Sequence, residues 1–174
     1  MILNILGGGG SGKTTLKFAL LRIRAIFTGF VPYTTRPKRP EEEEGVHYHF
    51  VSIEAYHTHS TFVLKREADG WLYGVERSDL EQKTDEGVLV TTFDIDGILA
   101  LEAMHKTVKV IFLNISESER IRRMLARGDE PTAVTRRIGI DQRRLSYLDF
   151  NSPILEVRSG DLDEIVKKVL KFVG

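Results

Sequence analysis

The chain has 174 residues, 41% apolar and 29% charged, a size and mix that suit one compact globular domain with a single sizeable core. Lysine plus arginine and aspartate plus glutamate each number 25, so the formal net charge is zero and no general field draws the chain toward nucleic acid or an anionic membrane. The absence of cysteine excludes disulfides, thiolate metal sites and cysteine nucleophiles. No basic stretch precedes the apolar run at Ile2 and none approaches the ~20 apolar residues of a membrane span, so the expectation is a soluble cytoplasmic enzyme, monomeric or homodimeric.

Residues 1–6 form a short apolar run stopped by glycines, the pattern of a buried strand. Leu16, Ala19, Leu20 and Ile23 recur at helical spacing and predict a helix over 14–26. Residues 32–40, rich in proline and arginine, read as a loop, and the glutamates at 41–44 as a solvated face. Strands are predicted over 46–51 and 61–67, with a short helix over 53–59 between them. Ala68-Asp69-Gly70-Trp71 then makes a tight hairpin into a strand over 72–76, and Trp71 reads as packing.

Residues 87–94 and 108–113 return to the texture of buried strands. Helices are predicted over 117–127 and 132–147, an edge strand over 154–157 and a last helix over 162–172. This alternation predicts an α/β fold, a parallel sheet with helices on both faces. The half-buried strands of about 32–82 form a small subdomain inserted between core segments 1–31 and 83–174.

Gly7-Gly8-Gly9-Gly10-Ser11-Gly12-Lys13-Thr14 matches G-x-x-x-x-G-K-[ST] between a buried strand and a helix, where a phosphate-binding loop sits. Glycines let the backbone turn its N–H groups toward the phosphates of ATP, and the helix N-terminus adds favourable partial charge. Gly8, Gly10, Ser11, Gly12, Lys13, Thr14 and Thr15 are therefore candidate ATP-binding residues, with Lys13 also catalytic and Thr14 a ligand of Mg²⁺. The bland alternative, a glycine-rich turn whose lysine faces solvent, is disfavoured by the strand before and the helix after. Asp94 ends a buried strand where a second acidic group near the metal belongs, and Asp96 lies on the same side if the chain stays extended; the alternative for both is a loop-capping aspartate. His47, His49, His57 and His59 lack the accompanying carboxylates of a metal site.

Thr34-Thr35-Arg36-Pro37-Lys38-Arg39-Pro40, followed by Gly45-Val46-His47-Tyr48-His49-Phe50-Val51-Ser52, closely resembles the acceptor-binding segment of guanylate kinases. With the glycine-rich loop, Leu72-Tyr73-Gly74 and Asp94-Ile95-Asp96, the resemblance extends over about residues 5–100. It implies an inserted domain that holds the acceptor, an arginine-bearing lid that closes over ATP, and transfer of phosphate from MgATP to GMP or dGMP. Carried over, it assigns Arg36, Arg39, Tyr48 and Tyr73 to the acceptor phosphate, counts Arg39 as catalytic as well, and adds Asp96 to the acceptor side. Planar guanidinium forks pair with phosphate oxygens bidentately, which agrees with that assignment.

Arg120, Arg122, Arg123, Arg127, Arg136 and Arg137 crowd one region. No aromatic residues are interleaved for base stacking and nearby carboxylates dilute the field, so a lid over about 125–140 is preferred to a nucleic-acid patch. The resemblance then assigns Arg123 to ATP and Arg127 and Arg137 to the charge on the transferring phosphoryl group.

The resemblance breaks at the base. The family reads guanine with a glutamate on the strand before the hairpin and with two hydroxyl-bearing residues, and the matching positions here are Leu64, Pro32 and Val75. A two-residue turn at Asp69-Gly70 predicts the pairs Ala68–Trp71, Arg66–Tyr73 and Leu64–Val75 on one face, so Leu64 and Val75 become an altered wall of the acceptor pocket, with Arg66 added to it. The leading reading is a nucleoside monophosphate kinase acting on GMP, dGMP or another base. The alternatives are a binding module of the same fold without catalysis, which the intact Lys13 and Thr14 oppose, and a kinase of another phosphorylated metabolite.

Overall fold

The computed structural model describes residues 1–59, 61–68 and 70–174, and of Ala68, Thr84 and Asp85 the backbone alone. In chain order the elements are β1 (Ile2–Gly7), α1 (Lys13–Leu21), β2 (Phe27–Thr28), β3 (Tyr33–Thr34), β4 (His49–Phe50), α2 (Ile53–Thr58), β5 (Phe62–Ala68), β6 (Trp71–Glu76), α3 (Arg77–Asp85), β7 (Val88–Thr91), α4 (Ile95–Ala103), β8 (Val108–Leu113), α5 (Glu117–Ala126), α6 (Pro131–Leu145), β9 (Ile154–Val157) and α7 (Leu162–Val173). They divide into two compact units, Met1–Phe27 with Val88–Gly174, and Thr28–Gly87.

The first unit is a sheet of order β2-β7-β1-β8-β9 flanked by helices. Strand β1 pairs in parallel with β7 and β8, and β8 in parallel with β9, which lies at the edge. Parallel strands read as unbroken apolar runs because both of their faces are covered. In β1, Leu3 and Ile5 join a core with Leu16 and Leu20 of α1, Ile111 and Leu113 of β8 and Val169 of α7, while the alternate residues Ile2 and Asn4 are equally buried. Asn4 is a polar group inside this core, held there by three side-chain hydrogen bonds. Its Oδ1 accepts from Thr91 Oγ1 (2.8 Å) and the Phe93 amide (2.7 Å), and its Nδ2 donates to the Phe93 carbonyl (3.0 Å). That clamp fixes where the chain leaves β7 and so where Asp94 stands. Among the described residues no helix is long and apolar enough to cross a membrane.

The second unit is a sheet of order β4-β3-β6-β5, with β3 parallel to β4 and antiparallel to β6, and β5 antiparallel to β6. The register pairs Ala68 with Trp71, Arg66 with Tyr73 and Leu64 with Val75, as the sequence predicts, with a bulge between Phe62 and Leu64. Asp69 of the expected turn lies outside the described residues.

Four expectations need correction. Helix α1 ends at Leu21 rather than near 26, because the chain tightens into turns in which the Ile23 amide bonds to Leu20 and the Ile26 amide to Ile23. The stretch 32–40 is not all loop, since Tyr33 and Thr34 form β3. The strand expected over 46–51 shortens to His49–Phe50, because the Val46 and His47 amides turn back to the Glu43 carbonyl. The glutamate run is not a solvated face throughout, since Glu42 is buried beside Arg36.

Candidate functional site

The glycine-rich loop joins β1 to α1, and its conformation is one that side chains oppose. Gly10 (φ 75°) and Gly12 (φ 97°) are left-handed, and a Cβ at Gly10 would stand 2.6 Å from the Arg120 carbonyl oxygen. Gly12 caps α1, so the helix starts at Lys13 with its first amides unpaired within the helix. Lys13 Nζ donates to the carbonyls of Gly7 (2.6 Å) and Gly8 (2.9 Å), folding the ammonium back over the loop. Ser11 is buried and its Oγ has no hydrogen-bond partner among the described residues, although a buried hydroxyl ordinarily has one. A loop of turned amides with a lysine over it and an unsatisfied hydroxyl fits the phosphates of ATP, and the exposed Thr14 and Thr15 follow on the first turn of α1. One turn on, burial lowers the Lys17 ammonium to about 8.

Helices α5 and α6 bring Arg123 and Arg137 to this loop. Arg123 Nε donates to Glu119 (2.7 Å), and its Nη1 reaches the Ser11 carbonyl at 3.5 Å. Arg122 and Arg123 together hold the Glu119 carboxyl down to about 2. The side chain of Arg137 lies across Gly9, where a Cβ would meet its Cγ at 3.1 Å. Arg127, by contrast, closes the end of α5 with its guanidinium on Asp129 (2.5 Å).

Two buried groups join this set. The Arg120 guanidinium pairs with the Asp141 carboxylate, Arg120 Nε donates to the Gly9 carbonyl (2.9 Å), and the Gly9 amide donates to Asp141 Oδ2 (2.7 Å). Gly8 is hemmed in by the same pair: a Cβ there would run into the Arg120 guanidinium and stand 2.6 Å from Asp141 Oδ2. Sequence reasoning missed Asp141, yet a signal was present. Asp141 falls on the apolar stripe of α6 with Val134 and Ile138, and Arg120 on that of α5 with Met124, where a charge must find a partner.

Asp94 caps α4, its Oδ1 accepting from the Gly97 amide (3.2 Å), and its Oδ2 stands 3.5 Å from Arg144. The chain turns helical directly after it, so Asp96 sits exposed on the first turn of α4 instead of continuing an extended strand.

In the second unit, Thr34 and Thr35 fasten β3 to β6 through Leu72. Thr34 Oγ1 donates to the Leu72 carbonyl and Thr35 Oγ1 accepts from its amide, both at 3.0 Å. The chain that follows carries Arg36 and Arg39 around a single carboxylate. Glu42 Oε1 accepts from Arg36 Nη2 (2.6 Å) and Oε2 from the Arg39 amide (2.8 Å). Burial opposes both charges of the pair, but their mutual hydrogen bond and attraction win, so Arg36 is held above its ordinary value and Glu42 below the ordinary carboxylate range. The Arg36 guanidinium lies 5.5 Å from the Tyr48 ring centroid, and the Tyr48 and Tyr73 rings meet edge-on at 6.0 Å. Burial raises the Tyr48 phenol, which stays a neutral donor. Thus Arg36, Tyr48 and Tyr73 are gathered in one place, with Arg39 on the same turn. Opposite Tyr73 stands Arg66, 5.9 Å from its ring, and two pairs further along Leu64 faces the buried Val75.

Comparison with known proteins points to one family. A family model described as guanylate kinase matches residues 2–174. A guanylate kinase of Alkalilimnicola ehrlichii is 37% identical over 144 residues, covering 79% of this chain and 71% of that protein. A guanylate kinase of Pseudoalteromonas translucida is 35% identical over 174 residues, covering 94% and 82%. Among solved structures, the guanylate kinase from Anaplasma phagocytophilum superposes with a TM-score of 0.72 over 99% of this chain and 84% of that one, at 24% identity, a likeness of fold.

Proposed function

The chain belongs to the guanylate kinase family, and from that premise we propose that its acceptor is a nucleoside monophosphate gripped by its phosphate and met at its base by an apolar, arginine-bearing wall. The enzyme is an ATP-dependent phosphotransferase that uses Mg²⁺. Bound MgATP supplies the γ-phosphoryl group and, through the metal, neutralises part of its charge. The amides of Gly8, Gly10, Ser11 and Gly12 with Lys13 and Thr15 hold the phosphates, and Thr14 with Asp94 serves the metal. Arg123 steadies ATP. Arg127, Arg137 and Arg39 stabilise charge as an acceptor phosphate oxygen attacks and the bond to ADP breaks, with no covalent enzyme intermediate. Arg36, Arg39, Tyr48 and Tyr73 hold the acceptor phosphate, and Asp96 belongs to the acceptor side.

The pairing of Leu64 with Val75 carries the proposal about the base. Guanine brings N–H donors, and a buried donor left unpaired costs about 1–3 kcal/mol. Leu64 and Val75 offer no acceptor, so GMP loses its advantage and a base with fewer donors at that edge gains. A second reading keeps GMP, the acceptor that the relatives' name indicates, and is favoured by Arg66 on the same face: a guanidinium fork matches O6 and N7 of guanine.

A coupled ADP-release assay over the common ribo- and deoxynucleoside monophosphates decides between them. The expected result is no large preference for GMP in the wild type, with Leu64→Glu raising kcat/KM for GMP relative to other acceptors. A wild type that prefers GMP by several orders of magnitude, and loses that preference in Arg66→Ala, overturns the first reading in favour of the second.

A further inference from the structure

The Arg120–Asp141 pair is more than helix packing requires. Both groups sit on apolar stripes, 7% and 5% exposed, where hydrophobic residues of similar size would join α5 to α6 as well or better. What hydrophobic residues could not do is hold the Gly9 peptide from both sides. The Asp141 carboxylate accepts its N–H at 2.7 Å, and Arg120 Nε donates to its C=O at 2.9 Å. The remaining Asp141 oxygen, Oδ1, accepts from Arg137 Nε at 3.2 Å, one helical turn back on α6. One carboxylate therefore touches the phosphate loop, the buried arginine and a lid arginine.

We propose that Asp141 is a positioning residue for phosphoryl transfer: its Oδ2 is anchored by the Gly9 peptide and the buried arginine, and its Oδ1 sets the Arg137 guanidinium. The inference rests on the reading of Arg137 as a transfer-stabilising arginine. Precise placement of a charge-stabilising group is worth far more than its presence, because a preformed arrangement needs no reorganisation as charge develops. Neutralising Asp141 leaves Arg137 in the protein and releases its orientation. It also leaves Arg120 buried opposite a neutral group, which strains the fold, so stability and activity must be read separately.

The experiment is a kinetic double-mutant cycle with melting curves on the full chain. Asp141→Asn is expected to lower kcat by roughly 10–100-fold with little change in acceptor KM, and by less than about 3-fold when Arg137 is already alanine, because both substitutions remove the same interaction. Arg120→Met/Asp141→Ala, which discards both buried charges together, is expected to regain most of the melting temperature that Asp141→Asn loses and to keep the low kcat. An equal kcat loss from Asp141→Asn in both backgrounds overturns the positioning role while leaving the role of Arg137 intact. An unchanged kcat in Arg137→Ala overturns both. Recovery of kcat together with stability in the double variant makes the pair structural only and overturns the proposal.

Discussion

Replacing Glu42 by glutamine changes few atoms and separates two donors that now share one carboxylate. Each oxygen of Glu42 accepts a different donor, Arg36 Nη2 at 2.6 Å and the Arg39 amide at 2.8 Å. A glutamine has a single acceptor oxygen and presents an NH₂ at the other site, so one donor must face another donor. Glu42 is 8% exposed and the Arg36 side chain 11%, so water does little to replace the lost bond. The loss of one buried hydrogen bond of this kind is about 1–3 kcal/mol. For a chain of this length that lowers the melting temperature by about 2–12 °C.

The same substitution frees the turn carrying Arg36 and Arg39, so acceptor KM should rise while ATP KM stays constant. The pH dependence supplies a control. The carboxyl of Glu42 is depressed in the fold, so its stabilisation is present above the ordinary carboxylate value and is lost as pH falls through the lowered one. Melting curves of wild type and Glu42→Gln should therefore differ at neutral pH and converge in acid. Equal melting temperatures at neutral pH with unchanged acceptor KM would refute the reasoning.

Lys13→Ala should lower turnover at least ~10²-fold through lost stabilisation of the transferring group, measured as ADP release by the purified variant. Arg39→Ala should weaken acceptor use by a charge-assisted contact of roughly 1.5–3 kcal/mol, with ATP affinity by titration unchanged; a fall in ATP affinity instead would mean the turn serves the other substrate. Lys17→Met should raise the melting temperature at neutral pH. The folded ammonium is depressed to about 8 from 10.5, so its penalty is full below about 8 and shrinks as pH rises to 10.5, and the gain should shrink over the same window.

The parallel core was legible because β1, β7 and β8 are largely apolar runs and β1 stops at the glycine-rich loop, and the hairpin register because a two-residue turn leaves one pairing that keeps Leu64, Arg66 and Tyr73 together. Helix α3 was not, since Leu80 is the one apolar residue in Arg77–Asp85 and gives no periodicity to read. Strands β2 and β3 are two residues long, too short for any alternation to register, and are held by neighbours far along the chain. The acceptor arginines could be found by resemblance, but Glu42 could not, because in a run of glutamates nothing distinguishes the one that folds inward. Asp141 was hidden among the charges of an arginine-rich helix, and only the phase of the helix marks it.

Gly8 occupies a position that the phosphate-loop motif leaves open, and its backbone is not among the left-handed glycines. Its bareness is imposed from outside, by the Arg120 and Asp141 side chains that would collide with a Cβ there. Mutational history at these positions must then have a direction. An alanine at position 8 requires the side chains at 120 and 141 to move aside or to have been shortened, and the arginine–aspartate pair in its present arrangement fits only over a glycine. The three sites are therefore sterically coupled, so the cost of a change at any one of them depends on what already stands at the other two.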